Sequence, residues 1–276
     1  MHLGNDPDFS LMPELFPEPV RVHVRAVGRF VRLADSITES ANLGRPEKLS
    51  RLAALEDALT TADAGLWSEE AAAVAAGVRD CLAVTGLSVE HPRHILQAFR
   101  RDARGHVCVS WRDLLVYCQF AAAPIGRAML HLTDEDAQVC GRSADALCAA
   151  LHILRQLRDC EDPTVGFNRL GIPRQFLDDA MITPRYLRAP SAKGQTRAVL
   201  DRVLDGVEQL LVEAAPLPRL VRDRGLRVHV LIVQCRARKL LRRFRKRDPL
   251  RERVGLPMLQ RKLCRWLGTM RGLLRC

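Results

Sequence analysis

Apolar residues recur at three- and four-residue steps along most of this chain, the spacing that gathers them on one face of an α-helix. Val24, Val27, Phe30, Val31 and Ala34 form one such stripe and predict a helix over 20–40. The same pattern predicts helices over 46–62, 68–85 and 92–101, with Gly86 placed to stop the second of these three. After a break near Gly105 it predicts helices over 111–132, 133–162 and 195–214, and two more beginning near Pro218 and Pro257. Gly and Pro mark the stretches 163–173 and 189–194 as loops. No alternating run is long enough to predict a strand, and neither a repeat nor a linker divides the sequence. The expected fold is all-α, a single domain over residues 1–276.

Composition narrows the setting. Hydrophobic residues make up 47%, too many for a disordered chain, yet no stretch approaches the roughly 18 consecutive apolar residues of a membrane span. Residues 1–19 carry Asp6, Asp8, Glu14 and Glu18 and neither Lys nor Arg, which argues against an export signal. The nine cysteines are odd in number and form no CxxC pair, so they read as reduced thiols, several of them core residues, in a cytoplasmic protein.

Charge is segregated. Residues 222–276 hold 18 Lys and Arg against Asp223, Asp248 and Glu252, while the preceding 221 residues hold 25 basic and 29 acidic groups. Such a tail suits anionic lipid headgroups, diphosphates or nucleic acid. Nucleic acid is the weakest of the three, since Phe244 is the sole aromatic within 236–253 and no recognition motif accompanies it. Leu226, Val230, Val233, Leu240, Leu241 and Phe244 form an apolar stripe opposite the charges. A solvated helix face and a peripheral contact with an anionic membrane are therefore equal readings of the tail.

Two pairs of carboxylates share helix faces: Asp35 with Glu39, four apart, and Asp159 with Asp162, three apart. Helix ends of this kind, facing each other, can hold Mg²⁺, a hard cation that takes oxygen ligands and bridges carboxylates to phosphate. Arg32, Arg127 and Arg169 are the candidate cations for the phosphate itself. Taken alone these pairs are weak signals, because helices commonly end in carboxylates. His131 and His152 lie in apolar helices and read as core or groove residues. HExxH, triad spacing, a Gly-rich phosphate loop and a Cys-His metal pattern are all absent from the sequence.

Longer segments add what the pairs lack. Arg21-Val22-His23-Val24 leads through Phe30-Val31-Arg32 to Ala34-Asp35, and Ala98-Phe99-Arg100-Arg101-Asp102 follows. The block from Trp111 to Cys118 continues through Pro124-Ile125-Gly126-Arg127 and Leu130-His131-Leu132. Leu151 to Asp162 and Asn168-Arg169-Leu170-Gly171-Ile172-Pro173 complete the set. In these segments the chain resembles, nearly end to end, the squalene/phytoene synthase family, and within it the bacterial hydroxysqualene synthases.

The resemblance implies an isoprenoid-synthase helical bundle around a central apolar cavity, and a Mg²⁺-dependent enzyme of C30 isoprenoid (squalene/hopanoid) biosynthesis. Its substrate would be a prenyl diphosphate: either presqualene diphosphate, hydrated to hydroxysqualene, or farnesyl diphosphate, condensed head to head. Asp35, Glu39, Asp159 and Asp162 would hold metal, Arg32 and Arg169 the diphosphate, and Tyr117 and Arg127 would act beside it. The sequence also departs from the family pattern. Ser36 and Glu39 replace aspartates of the first motif, Pro163 replaces the last aspartate of the second, and Arg155 stands for an Asn on the metal side. Gly28 and Gly171 replace tyrosines, Ala123 an Asn, and Pro13 a Ser. These changes fit a divergent enzyme, or a non-catalytic relative that binds prenyl lipid or assists assembly.

Overall fold

Pro17 and Pro19 bracket the start of the first long helix, where a missing N–H costs nothing because the first turn has no intrahelical acceptor. That helix is α1 (Glu18–Glu39), and the computed structural model, which describes residues 8–61, 65–162 and 165–273, contains eleven more. α2 (Arg45–Asp57), α3 (Glu69–Thr85) and α4 (Glu90–Ala103) follow the predicted pattern. Ser68 caps α3 by accepting from Ala71 N at 3.1 Å, and Gly86 ends it at φ 68°, a left-handed conformation open to glycine.

The predicted helix over 111–132 is two helices, α5 (Trp111–Ala121) and α6 (Ala123–Leu132). Pro124 has no N–H for the carbonyl one turn back, and Ala122 leaves the helical region at φ −128°, ψ −44°. The helix predicted over 133–162 is shorter: Asp136 caps α7 (Ala137–Arg158) by accepting from Gln138 N and Val139 N, and a 3₁₀ turn, Asp159–Glu161, follows it. Ala62 and Pro163 lie outside the described residues. One short helix escaped the pattern, α8 (Arg174–Asp179), too brief to display a period, and of the helix expected from near Pro218 the first turn stands apart as α10 (Leu217–Leu220). α9 (Gly194–Glu213), α11 (Arg224–Lys246) and α12 (Met258–Leu273) complete the set, and no strand occurs among the described residues. α11 starts six residues after Pro218, where Asp223 accepts from Leu226 N at 2.6 Å. Buried Glu135 accepts the N–H groups of Arg222 and Asp223 and so ties the α6–α7 turn to the start of α11.

α7 is the axis. It packs on α5, α6, α9 and α11, and its length is buried on more than one face, as Ala144, Leu147, Ala150, Ile153, Leu154 and Leu157 show. α11 lies between α7, α9 and α12. A smaller apolar cluster joins Phe30, Val31, Ala34 and Ile37 of α1 to Leu52 and Leu55 of α2 and Ile95, Leu96 and Phe99 of α4. Asp8, buried, accepts from Arg158 at the end of α7 and from Leu256 N before α12, which lays the segment from Asp8 to Phe16 across the bundle.

Candidate functional site

The segment 9–13, the inner faces of α1, α6, α7 and α11, and the break at Ala122 enclose a cavity of about 410 Å³, within the roughly 300–1,000 Å³ usual for small-molecule sites. Val24, Val31, Ala122, Ile125, Met129, Leu147, Leu151, Leu226, Val230 and Val233 make its wall apolar. The helix break is therefore part of the cavity. Gly126 brings α6 close to α7 behind the wall, where a Cβ would stand 2.6 Å from Cys148 Sγ.

The charged and imidazole side chains of the lining are Arg25, Arg29, Arg32, His152, Arg155 and His229. Arg25, Arg29 and Arg32 are four and three residues apart and share one face of α1, with Arg25 and Arg29 exposed and Arg32 half-buried. Gly28 leaves room for Arg32: a Cβ there would lie 3.4 Å from its Nη1. Burial, and then Arg29, lower the pKa of Arg32, so this guanidinium carries its charge at a cost that an anion would relieve.

His152 and His229 are neutral imidazoles at physiological pH. Desolvation and then the neighbouring arginines push His152 down to about 3 and His229 to about 4. His152 Nε2 and His229 Nδ1 are buried and make no hydrogen bond, so each offers a polar atom within an apolar enclosure.

Beyond His152 by one turn of α7, Arg155 is surrounded by carboxylates. Its Nη1 lies 3.6 Å from Asp35 Oδ2 and 3.7 Å from Glu39 Oε1. A second guanidinium, that of Arg169, donates to Glu39 Oε1 at 2.9 Å and lies 3.7 Å from Asp35 Oδ1. Asp159 joins the group: desolvation raises its pKa, Arg155 opposes the rise and Glu39 adds to it. Arg155 is held charged against desolvation by Asp35, Asp159 and Glu39 together.

Asp35, Glu39, Asp159 and Asp162 are the residues expected to hold metal. The structure gathers the first three around the guanidinium of Arg155, whereas Asp162 is exposed after the 3₁₀ turn, its backbone carbonyl accepting from Arg188. Ser36 turns its hydroxyl back to Leu33 O. As arranged these side chains do not fit Mg²⁺, because guanidinium nitrogen fills the space between the carboxylates. No group of three or more His, Cys, Asp or Glu among the described residues is disposed to hold a metal ion.

The remaining assigned residues divide. Arg32 lines the cavity, while Arg169, expected on the diphosphate, is held by Glu39 and Asp35. Tyr117 is buried beside the cluster, its ring 5.5 Å from that of His152, and its hydroxyl donates to Asp102 Oδ2 at 2.8 Å. Burial and the Asp102 charge raise the Tyr117 pKa well above its ordinary value, and desolvation raises Asp102 to about 6. Arg127 is not a lining residue: its fork grips Asp145 at 3.0 and 2.6 Å and also reaches Gln119, tying α6 to α7 and α5 outside the wall.

Of the charged and imidazole lining residues Arg32 alone had been assigned to the site, and Arg25, Arg29 and His229 had not been singled out at all. The i, i+4, i+7 spacing of Arg25, Arg29 and Arg32 carried the signal for the first two. His229 was hidden because residues 222–276 were read for charge.

The sequence and the bundle have counterparts among known proteins. The sequence model of the family Squalene/phytoene synthase matches residues 4–260. The chain is 34% identical over 240 residues to the hydroxysqualene synthase of Sinorhizobium fredii (strain NBRC 101917 / NGR234), covering 87% of this chain and 80% of that one. It is 31% identical to the hydroxysqualene synthase of Rhodopseudomonas palustris (strain ATCC BAA-98 / CGA009), covering 86% and 79%. Among solved structures, squalene synthase HpnC from Alicyclobacillus acidocaldarius superposes with a TM-score of 0.74 at 26% identity, covering 89% of this chain and 90% of that chain. A dehydrosqualene synthase in complex with ligand shares the fold at TM-score 0.77 and 18% identity, covering 97% and 92%. With a family model matched over residues 4–260 and relatives at 34% and 31% identity over most of its length, the chain belongs to the squalene/phytoene synthase family.

Proposed function

We propose that the protein is an enzyme of C30 isoprenoid biosynthesis that converts presqualene diphosphate and water into hydroxysqualene and diphosphate. The observation that carries this reading is the cavity: an apolar enclosure with arginines on its wall and two unpartnered neutral imidazoles. The hydrocarbon occupies the apolar wall and the diphosphate meets Arg29, Arg32 and Arg155. The C–O bond to diphosphate breaks with its electron pair leaving on the diphosphate, whose charge the guanidinium groups stabilise. The apolar wall shields the resulting carbocation. Water adds at carbon, and its proton passes to the free nitrogen of His152 or His229, or to the departing diphosphate. Water is the sole co-reactant, and no redox partner is required.

Head-to-head condensation of farnesyl diphosphate is the less favoured reaction. It needs two diphosphates in one site, yet Arg169, which could have served a second one, is already held by Glu39 and Asp35. The names of the relatives at 34% and 31% identity favour the hydration reaction as well. One observation favours a non-catalytic prenyl-lipid binder instead, namely the neutralisation of those two carboxylates by arginine.

A cavity-filling substitution tests the reading. Ile125 is half-buried on the wall, and Ile125→Trp should keep the helical circular dichroism while lowering diphosphate release from presqualene diphosphate by at least about tenfold, as expected when about 1.4 kcal/mol of binding is lost. Equal release by the folded variant would remove the cavity from the reaction. A lipid binder predicts binding without release in the parent protein.

We also propose a peripheral membrane contact through α12. Leu259, Leu263 and Trp266 are exposed at i, i+4 and i+7 with Lys262 among them, and α11, on which α12 packs, carries the exposed Arg238, Arg242 and Lys246. No helix among the described residues is long and apolar enough to cross a membrane. Co-sedimentation with phosphatidylserine vesicles should exceed that with neutral vesicles, fall with added salt, and weaken in Trp266→Ala. Equal sedimentation with both vesicle types would count against the contact.

A further inference from the structure

We propose that this site binds its diphosphate on guanidinium groups alone, Arg155 occupying the position from which a divalent cation would otherwise bridge carboxylates to phosphate. The inference rests on the reading of the cavity as a prenyl diphosphate site.

Three observations carry it. First, the gap between the carboxylates is filled. Arg155 Nη1 lies 3.6 Å from Asp35 and 3.7 Å from Glu39, and Arg169 closes on the same pair at 3.7 and 2.9 Å. Mg²⁺ needs oxygen at about 2.0–2.1 Å in near-octahedral array, so it could enter only by displacing a guanidinium whose side chain is 8% exposed. Second, Arg155 still has donors to give. Its Nε is buried without a hydrogen bond, its Nη1 reaches the two carboxylates only at ion-pair distance, and the residue lines the cavity. An anion oxygen drawn to the guanidinium would satisfy Nε. Third, Arg32 is half-buried on the same wall with no ion pair among the described residues, and Arg29 crowds it. A diphosphate is thus offered three cations on α1 and α7, while Asp35 and Glu39 fix the orientation of Arg155.

The test is calorimetric titration of the full chain with inorganic diphosphate and with farnesyl thiodiphosphate, in EDTA and in Mg²⁺, together with the electron paramagnetic resonance of added Mn²⁺. The expected result is binding in EDTA, affinity in the two buffers within about a factor of two, and a free Mn²⁺ signal unchanged by the protein. Arg155→Gln should weaken binding in EDTA by about tenfold or more, the worth of a hydrogen bond to a charged group, and should acquire Mn²⁺ binding at the freed carboxylates. Should that variant fail to fold, Arg32→Gln must show the same loss of affinity while leaving Mn²⁺ unbound.

Affinity in Mg²⁺ at least about tenfold above that in EDTA, Mn²⁺ binding by the parent protein, or no binding in either buffer would each overturn the inference. Hydroxysqualene formed only with Mg²⁺ would keep the proposed reaction and overturn this inference. Metal-independent binding with no lipid product would do the reverse.

Discussion

Replacing Arg155 with alanine is expected to lower the unfolding free energy by about 3–5 kcal/mol, the usual consequence of removing one partner from a buried ion pair. The cost arises from what remains. Asp35 has a fully buried side chain and Glu39 one that is 12% exposed, and the variant would remove one of the two guanidinium groups that face both. Urea denaturation followed by circular dichroism measures the loss. The double variant Arg155→Ala/Asp35→Asn should recover part of it, because the stranded charge is gone, and the two substitutions should be clearly non-additive. A loss below about 1 kcal/mol in the single variant would mean that Arg155 does not hold the carboxylates together.

The second large effect is a dependence of stability on pH carried by the cavity. His152 and His229 titrate at about 3 and about 4 in the folded protein and near 6.5 when unfolded. Below pH 6.5 the unfolded chain takes up protons that the folded imidazoles refuse. Their stabilisation is thus present above pH 6.5 and is lost as pH falls toward the folded values, by about 1.4 kcal/mol per pH unit for each group. Asp102 runs the other way. Its folded pKa of about 6 lies above its unfolded value, so its contribution is present at low pH and lost as pH rises through 6, offsetting one histidine between pH 4 and 6. His152→Gln should therefore reduce the slope of stability against pH in that window by about 1.4 kcal/mol per unit. An unchanged slope would place the His152 ring in water.

Much of the bundle was legible because an amphipathic helix writes its buried face into the sequence at 3.6-residue intervals. The boundaries at Ser68 and Gly86 were legible for a local reason, since one caps by a side-chain oxygen and the other by a left-handed backbone. The break at Ala122 was not read, although Pro124 announced it, because the apolar spacing runs through the break without interruption. Tertiary pairing lay further out of reach. Spacing placed Asp35 and Glu39 on one face of α1, but which partner fills the gap depends on how the end of α7 meets α1, and Arg155 and Arg169 come to that gap from residues more than a hundred positions away. The partner of Arg127 was out of reach for the same reason: sequence cannot show that Asp145, one helix on, already holds both arms of its fork.

Buried thiols illustrate a reading that needs no partner. Desolvation raises Cys108 and Cys160 to about 12, so they persist as protonated, unreactive core groups.

The proposed reaction is tested most directly by incubating purified, folded protein with presqualene diphosphate, counting the released diphosphate and identifying the lipid product by mass. Stoichiometric diphosphate and a hydroxylated C30 alcohol are the predicted result. Folded protein that binds the substrate and returns it unchanged would contradict the account and leave the cavity as a lipid-binding site.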